Sequence, residues 1–117
     1  MAERDDDCLF CRIVAGDVPA EIARIGTHVV AFRDLNPQAP THVLVIPRSH
    51  YPNAAALAEG EPATAAHLFD AAREIAASEG LENGYRLVFN TGASVGQSVF
   101  HVHGHVLAGR AFGWPPG

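Results

Sequence analysis

The chain has 117 residues, of which 48% are hydrophobic and 18% charged, a length and composition that suit one globular domain. Thirteen acidic residues against eight arginines give a net charge of −5, and the absence of a basic run argues against a nucleic acid partner. Lysine is absent, which excludes Schiff-base and pyridoxal chemistry and a phosphate-loop lysine, whereas seven histidines are present. Catalysis near neutral pH would therefore depend on imidazole groups.

The amino-terminal residues resemble no targeting signal. Residues 1–7 are rich in acidic side chains and lack the apolar core of a signal peptide. The longest uninterrupted apolar run, residues 54–58, is far shorter than a membrane span. We therefore expect a cytoplasmic protein with a single domain over residues 1–117, in which residues 1–6 are disordered.

The first half of the chain predicts one short helix and three strands. Asp7 is a suitable N-cap for a helix over residues 8–15. Short segments rich in Val and Ile follow, and they predict strands at residues 21–25, 28–33 and 42–47. This spacing is typical of hairpins in an antiparallel sheet.

The second half predicts the main helix and two further strands. Apolar residues recur at helical spacing over residues 62–79, and Gly80 follows as a stop. Strands are predicted at residues 85–90 and 98–107. The order of elements favours an α+β fold, a five-stranded antiparallel sheet with helical cover on one face.

Three histidines alternate near the carboxyl end of the chain. His101, His103 and His105 stand two positions apart, so on a strand all three would point to one face. The outer two would then lie about 13 Å apart, which is too far for three ligands of one metal ion. Such a row is costly to keep without a use, and it therefore indicates chemistry.

A loop rich in Gly and Ser precedes these histidines. It offers the Asn90 amide, backbone N–H groups at Gly92 and Gly96, and the Ser98 hydroxyl. Glycines let backbone donors approach an anion closely, so the loop is a candidate phosphate site. A neutral imidazole beside that phosphate could attack phosphorus while its neighbour stabilises the developing charge.

Two cysteines have the spacing of a zinc knuckle. Cys8 and Cys11 would supply two thiolates, and a tetrahedral site needs two more ligands, for which His50 and His101 are the candidates. Free buried thiols and a redox pair are the alternatives. A redox pair is disfavoured because no βαβ unit precedes Cys8. Structural zinc would leave His103 and His105 as the working pair.

Several separated motifs resemble one known family. Residues 101–107 resemble the H-x-H-x-H-x-x signature of the histidine triad nucleotide-binding family. Residues 34–47, 96–98 and 114–117 are similar to its Hint branch, which contains purine nucleoside phosphoramidases. The resemblance extends over nearly the whole chain from Cys8 onward, and members with a similar cysteine pair complete it with histidines from these positions.

The resemblance implies an activity and an assembly. It implies a hydrolase that cleaves the P–N bond of purine nucleoside phosphoramidates of the AMP type through a covalent nucleotidyl-His103 intermediate. The alternatives are a dinucleoside polyphosphate hydrolase, a nucleotidyl transferase, or a nucleotide-binding regulatory protein with incidental turnover. It also implies a homodimer in which two sheets form one continuous sheet of ten strands.

The same resemblance implies a role for each matching residue. His103 would be the nucleophile, His42 and His105 would lie beside the phosphate, and Ser98 or His105 would protonate the leaving group. The apolar slot for the base would be formed by Phe10, Ile13, Phe32 and Leu35, and Asp34 would accept hydrogen bonds from the ribose. The loop that binds the phosphate and leaving group would contain Asn90, Gly96, Gln97 and Ser98.

Gly104 departs from the family pattern, which has an apolar side chain at this position. The glycine predicts either looser packing behind the nucleophile or a close approach of the backbone to its neighbours. His28 and His67 match no functional pattern, and we expect both on the surface.

Overall fold

The computed structural model describes residues 5–117. Its centre is an antiparallel sheet of five strands in the order β1-β2-β3-β5-β4, with bounds β1 Ile22–Ile25, β2 Val29–Arg33, β3 Thr41–Pro47, β4 Arg86–Phe89 and β5 Gly104–Ala108. The predicted α+β class and the five antiparallel strands are confirmed. The prediction of disorder for residues 1–6 concerns mainly residues 1–4, which lie outside the described part of the chain.

In the described residues three α-helices accompany the sheet, namely α1 at Leu9–Val14, α2 at Ala54–Gly60 and α3 at Pro62–Ser78. Helix α2 was not predicted from the sequence, although the Asn53 side chain caps its start by accepting the backbone N–H of Ala56 at 2.9 Å. The predicted cap of α1 was wrong, because the Sγ of Cys8, and not Asp7, accepts the Cys11 N–H. No helix in the described residues is long and apolar enough to cross a membrane.

Helices cover both faces of the sheet, so the prediction of cover on one face was wrong. On one face α2 and α3 pack through a stripe of α3, in which Leu68, Ala71, Ala72, Ile75 and Ala76 are buried as predicted. On the other face α1 packs through Phe10 and Cys11 against Phe32, Leu44 and Ile46. The short α1 therefore encloses the side chains on that face.

Strand β5 begins at Gly104, so the strand predicted over residues 98–107 was wrong in its first half. The segment before Gly104 is held instead by the loop ahead of α2, because the Val102 N–H donates to the Tyr51 carbonyl at 2.8 Å. Only His105 of the three histidines belongs to the strand. The ring centroids of His103 and His105 are 5.0 Å apart, closer than the spacing expected on a regular strand.

Gly104 permits a close approach between β5 and the side chains of β4. A Cβ at this position would lie 2.7 Å from Cζ of Phe89 and 3.0 Å from Cδ1 of Leu87. We expect Gly104→Ala to lower the free energy of unfolding by about 1–3 kcal/mol, since it overpacks a buried contact. Urea denaturation would measure this, with Gly113→Ala as the control, because a Cβ there meets nothing within 4 Å. Equal stability of the two variants would contradict the close-approach interpretation.

Candidate active site and metal centre

A cavity of about 240 Å³ opens on the face of the sheet that α1 covers. Phe10 forms its inner wall, in edge-on contact with the rings of Phe32 at 5.3 Å and His103 at 5.1 Å. The cavity brings together eight of the predicted nucleotide-site residues, Phe10, Ile13, Phe32, Asp34, Leu35, Ser98, His103 and His105. An apolar wall beside a carboxylate and two imidazoles suits a flat aromatic ligand with a polar attachment.

Asp34 follows β2 directly, and its carboxylate contributes to the rim of the cavity. One oxygen, Oδ1, accepts the Asn36 N–H at 2.8 Å, and Oδ2 lies 3.4 Å from Nε2 of His42. The next residue, Leu35, is almost fully exposed at 98% although it lines the cavity. A ligand in the cavity would therefore cover Leu35 while meeting an acceptor at Asp34.

The protonation of His103 is fixed by a backbone carbonyl. Nδ1 of His103 lies 2.8 Å from the carbonyl oxygen of His101. A carbonyl oxygen only accepts, so we assign the proton of the neutral ring to Nδ1, which leaves a free lone pair on Nε2. The ring is 8% exposed and lines the cavity. An imidazole in this tautomer can act as a nucleophile through Nε2.

His42 and His105 form a directed chain of hydrogen bonds. The Gln38 N–H donates to Nδ1 of His42 at 3.0 Å, so the proton of neutral His42 resides on Nε2. His42 Nε2 lies 2.9 Å from Nδ1 of His105 and donates to it. His105 consequently carries its own proton on Nε2. The Nε2–H of His105 is therefore a hydrogen-bond donor. His105 lines both this cavity and a second one.

Burial keeps these imidazoles neutral. Desolvation lowers the pKa of His42 and of His103, although Asp34 nearby raises both in part. Desolvation, aided by repulsion from His103 and His42, lowers the pKa of His105 to about 4. At neutral pH the lone pair of His103 is therefore available for attack.

A second group of four side chains lies behind the first, at the junction of α1 with the loop before β5. The Sγ atoms of Cys8 and Cys11 each lie 3.5 Å from Nδ1 of His101, and Cys11 Sγ lies 3.3 Å from Nδ1 of His50. The two Nδ1 atoms are 3.2 Å apart. The structure thus brings all four predicted metal ligands together.

These distances fit a tetrahedral metal site. Bond lengths of about 2.3 Å for Zn–S and about 2.0–2.1 Å for Zn–N require separations of about 3.4–3.6 Å between S and N atoms. His101 donates its Nε2 proton to the Pro47 carbonyl at 2.9 Å, which leaves the Nδ1 lone pair facing the cysteines. Both cysteines are free thiols. Burial raises the pKa of the Cys11 thiol, so a thiolate there needs a cation as its charge partner.

The loop before the histidines does not present its donors as predicted. The Gly92 N–H donates to Oε1 of Gln97 at 2.9 Å, and the Gly96 N–H donates to the Ala93 carbonyl at 3.1 Å. Gln97 is buried and its Nε2 donates to the carbonyls of Pro52 and Val99. These groups hold the loop in shape. Asn90 lines the second cavity together with His42.

Two contributors were missed in the sequence. The cavity is also lined by apolar residues that carry no motif, namely Leu9, Val18, Pro19, Ala20, Leu44 and Val99. The Gln38 N–H, which orients His42, is a backbone group and gives no signal of its own. The run of apolar residues after α1 was the one sequence feature that could have predicted part of this apolar lining.

The chain matches the model of a known protein family. The model of the HIT domain family matches residues 16–112. The chain belongs to the HIT domain family. An uncharacterized HIT-like protein of Synechocystis is 46% identical over 112 residues, which cover 96% of this chain and 98% of that protein.

Two further proteins match nearly the whole chain. A 14 kDa zinc-binding protein of Zea mays is 42% identical over 115 residues, which cover 97% of this chain and 90% of that protein. The crystal structure of a HIT family hydrolase from Legionella pneumophila superposes with a TM-score of 0.90 at 44% identity, covering 94% of this chain and 99% of that one. The chain is thus a HIT protein with hydrolases among its structural neighbours.

The buried imidazoles make the stability of this HIT domain depend on pH. His105 has a folded-state pKa of about 4, below the ordinary value of about 6.5, so the unfolded chain binds more protons between these values. We expect the contribution of His105 to be complete above about pH 6.5 and lost towards about pH 4, with a size of about 1–2 kcal/mol after solvent screening. Urea denaturation would measure the free energy of unfolding at pH 7.5 and pH 5. This free energy should decrease less towards pH 5 in His105→Gln than in the wild type, and an equal decrease would contradict the assignment.

Proposed function

We propose that the protein hydrolyses purine nucleoside phosphoramidates of the AMP type through a covalent nucleotidyl-His103 intermediate. The base would occupy the slot at Phe10 and Phe32, and the ribose hydroxyls would donate to Asp34. The phosphate would lie between His103 and His105. This places an acceptor at the sugar, donors at the phosphate and apolar rings at the base, as each part of the ligand requires.

The reaction would proceed in two steps. In the first, the Nε2 lone pair of His103 forms a bond to phosphorus as the P–N bond breaks. The departing amine takes that electron pair and a proton from the Ser98 hydroxyl, which solvent reprotonates, while the Nε2–H of His105 donates a hydrogen bond to the phosphate. In the second step, a water molecule attacks phosphorus, the bond to His103 breaks with its electron pair returning to Nε2, and the water's proton leaves to solvent through Ser98.

One observation carries this proposal. The hydrogen bond of 2.8 Å from His103 Nδ1 to the His101 carbonyl leaves Nε2 unprotonated in a ring whose pKa burial lowers. A protein that only bound nucleotides would have no need of an imidazole held in its nucleophilic tautomer. The hydrolases among the structural neighbours support the same reading.

We further propose that the centre of two cysteines and two histidines binds one structural zinc ion. Cys8, Cys11, His50 and His101 would hold it, and it would fasten α1 to the loop before β5. The Zea mays relative that is named for zinc binding supports this assignment. Two free thiols also suit a reducing compartment such as the cytoplasm.

The proposed homodimer would join the sheets through β4. The other edge strand, β1, carries an irregularity between Ile22 and Arg24, and such features protect an edge from pairing. Beside β4 the large side chains of Tyr85 and Phe69 are 41% and 61% exposed, which is a surface that a second copy would cover. Sedimentation of the wild type as a monomer would contradict the dimer.

A turnover panel tests the function. Adenosine and guanosine 5′-phosphoramidates of a simple amine would be compared with dinucleoside polyphosphates at matched concentrations. We expect hydrolysis of the phosphoramidates with release of the nucleoside monophosphate, and a far lower kcat/KM for the polyphosphates. Preferred cleavage of the polyphosphates would favour the alternative hydrolase. Nucleotide binding without turnover of any substrate would favour the regulatory protein.

A further inference from the structure

A second cavity adjoins the candidate active site and contains residues that the proposed function does not use. It has a volume of about 450 Å³, larger than the first, and His105 lines both. His42 and Asn90 contribute to its wall. Arg86 and Arg110 line the same cavity. A group attached to a phosphate at His105 could therefore extend into this second cavity.

The two arginines are held over one aromatic ring. The guanidinium of Arg110 lies 4.0 Å from the centroid of the Phe112 ring, and that of Arg86 lies 5.0 Å from it. Arg110 donates to the carbonyls of Gln38 and Ala111, and Arg86 donates to the Gly113 carbonyl. These contacts orient both groups without neutralising their charge, since backbone carbonyls carry no net charge.

No aspartate or glutamate among the described residues lines this cavity; the carboxyl-terminal residue Gly117 does, and in the described chain no ion pair joins it to Arg86 or Arg110. Elsewhere in the described chain, by contrast, Arg24, Arg33 and Arg73 form ion pairs with carboxylates. The chain as a whole has a net charge of −5, so two guanidiniums at one cavity oppose the overall charge. Each guanidinium has five N–H donors, and the hydrogen bonds to carbonyls occupy only some of them. The remaining donors suit a carboxylate or a phosphate.

We propose that this cavity receives the leaving group and that Arg86 and Arg110 select leaving amines that carry their own anionic group, a carboxylate or a phosphate. The proposal rests on the proposed phosphoramidase function and specifies its substrate class. The P–N bond breaks as described above, and the amine departs with its electron pair and a proton. The anionic group forms and breaks no covalent bond in that step. The arginines bind it before and during bond cleavage.

Three matched adenosine 5′-phosphoramidates test the proposal on the purified protein in its native assembly. Their leaving amines are propylamine, 3-aminopropanoate and 2-aminoethyl phosphate, which share a short chain and differ in terminal charge. We expect kcat/KM to be about tenfold or more higher for the two anionic amines, since charged hydrogen bonds form only with them. The two anionic substrates show whether the cavity prefers a carboxylate or a phosphate.

Substitution of the arginines separates their effect from the leaving ability of each amine. Within each protein the ratio of kcat/KM for an anionic amine to that for propylamine is measured. Arg86→Gln and Arg110→Gln should each lower this ratio, which cancels any common effect of a substitution on both substrates. Arg73→Gln, which removes a guanidinium paired with Asp70 on α3, should keep the wild-type ratio.

The outcomes distinguish the inference from the function on which it rests. Wild-type turnover of the propylamine substrate with no preference for anionic amines would overturn the inference alone. An unchanged ratio in both glutamine variants would overturn it as well. Absence of turnover for all three phosphoramidates would overturn the proposed function and the inference with it.

Discussion

His103→Ala is expected to lower kcat for phosphoramidate hydrolysis by about three orders of magnitude or more, while the Kd for AMP stays within about tenfold. The variant removes the only protein atom proposed to form a bond to phosphorus. The base and ribose contacts at Phe10, Phe32 and Asp34 are left in place. Stopped assays of product release together with calorimetric binding of AMP would measure the two quantities separately.

The control for this variant is a histidine far from the site. His28 and His67 are exposed, as expected. Their rings stack with centroids 4.3 Å apart, and His67 lies on α3. His67→Ala should therefore keep wild-type turnover. Since His103 is buried, thermal unfolding must show that His103→Ala is folded, and His103→Gln provides a second variant of closer size. Turnover near the wild-type level in a folded His103 variant would refute the covalent mechanism.

Loss of the metal centre should have the next largest effect. Elemental analysis is expected to find one zinc ion per chain in the wild type and none in the Cys8→Ser, Cys11→Ser double variant. Binding to the folded state stabilises by about 4 kcal/mol when free zinc exceeds its Kd about a thousandfold, so the double variant should unfold at a clearly lower temperature. A wild-type protein purified without zinc would refute the site.

The metal centre should also affect turnover, although it lies behind the nucleophile. The side chain of His101 belongs to the proposed zinc site, and its backbone carbonyl accepts the Nδ1 proton of His103. Without the metal, the position of His101 is less constrained, so the double variant should lose kcat more than it changes KM. His67→Ala again serves as the control, and unchanged kcat in metal-free, folded protein would show that the two sites are independent.

The local pattern of the sequence was sufficient for most elements. The spacing of Leu68, Ala72 and Ile75 predicted α3, because a helix that packs on a sheet must bury one stripe. The hairpin of β2 and β3 was predicted for the same kind of reason, since its Val and Ile residues suit a buried strand. Helix α2 was missed because its Ala-rich turns carry a weak periodicity.

The segment around the histidines was predicted less well. Alternation at His101, His103 and His105 resembles a strand, yet the chain pairs with β3 and β4 only from Gly104 onward. What holds the earlier residues is a hydrogen bond from Val102 to Tyr51, about fifty positions away, which no local pattern encodes. The donors expected from Gly92 and Gly96 were likewise wrong for binding an anion, since their N–H groups are used within the loop.

The sequence by itself determined the set of reactive groups: imidazoles without lysine, a cysteine pair at knuckle spacing, and motifs that resemble one family. It could do so because side-chain chemistry and short spacings are local properties. Only the tertiary structure decided which nitrogen of each imidazole is free, because this depends on a carbonyl or an N–H brought from elsewhere in the chain. The Pro47 carbonyl turns His101 towards the cysteines, and the His101 carbonyl turns His103 towards the cavity. Two histidines of one motif thereby acquire different chemistry.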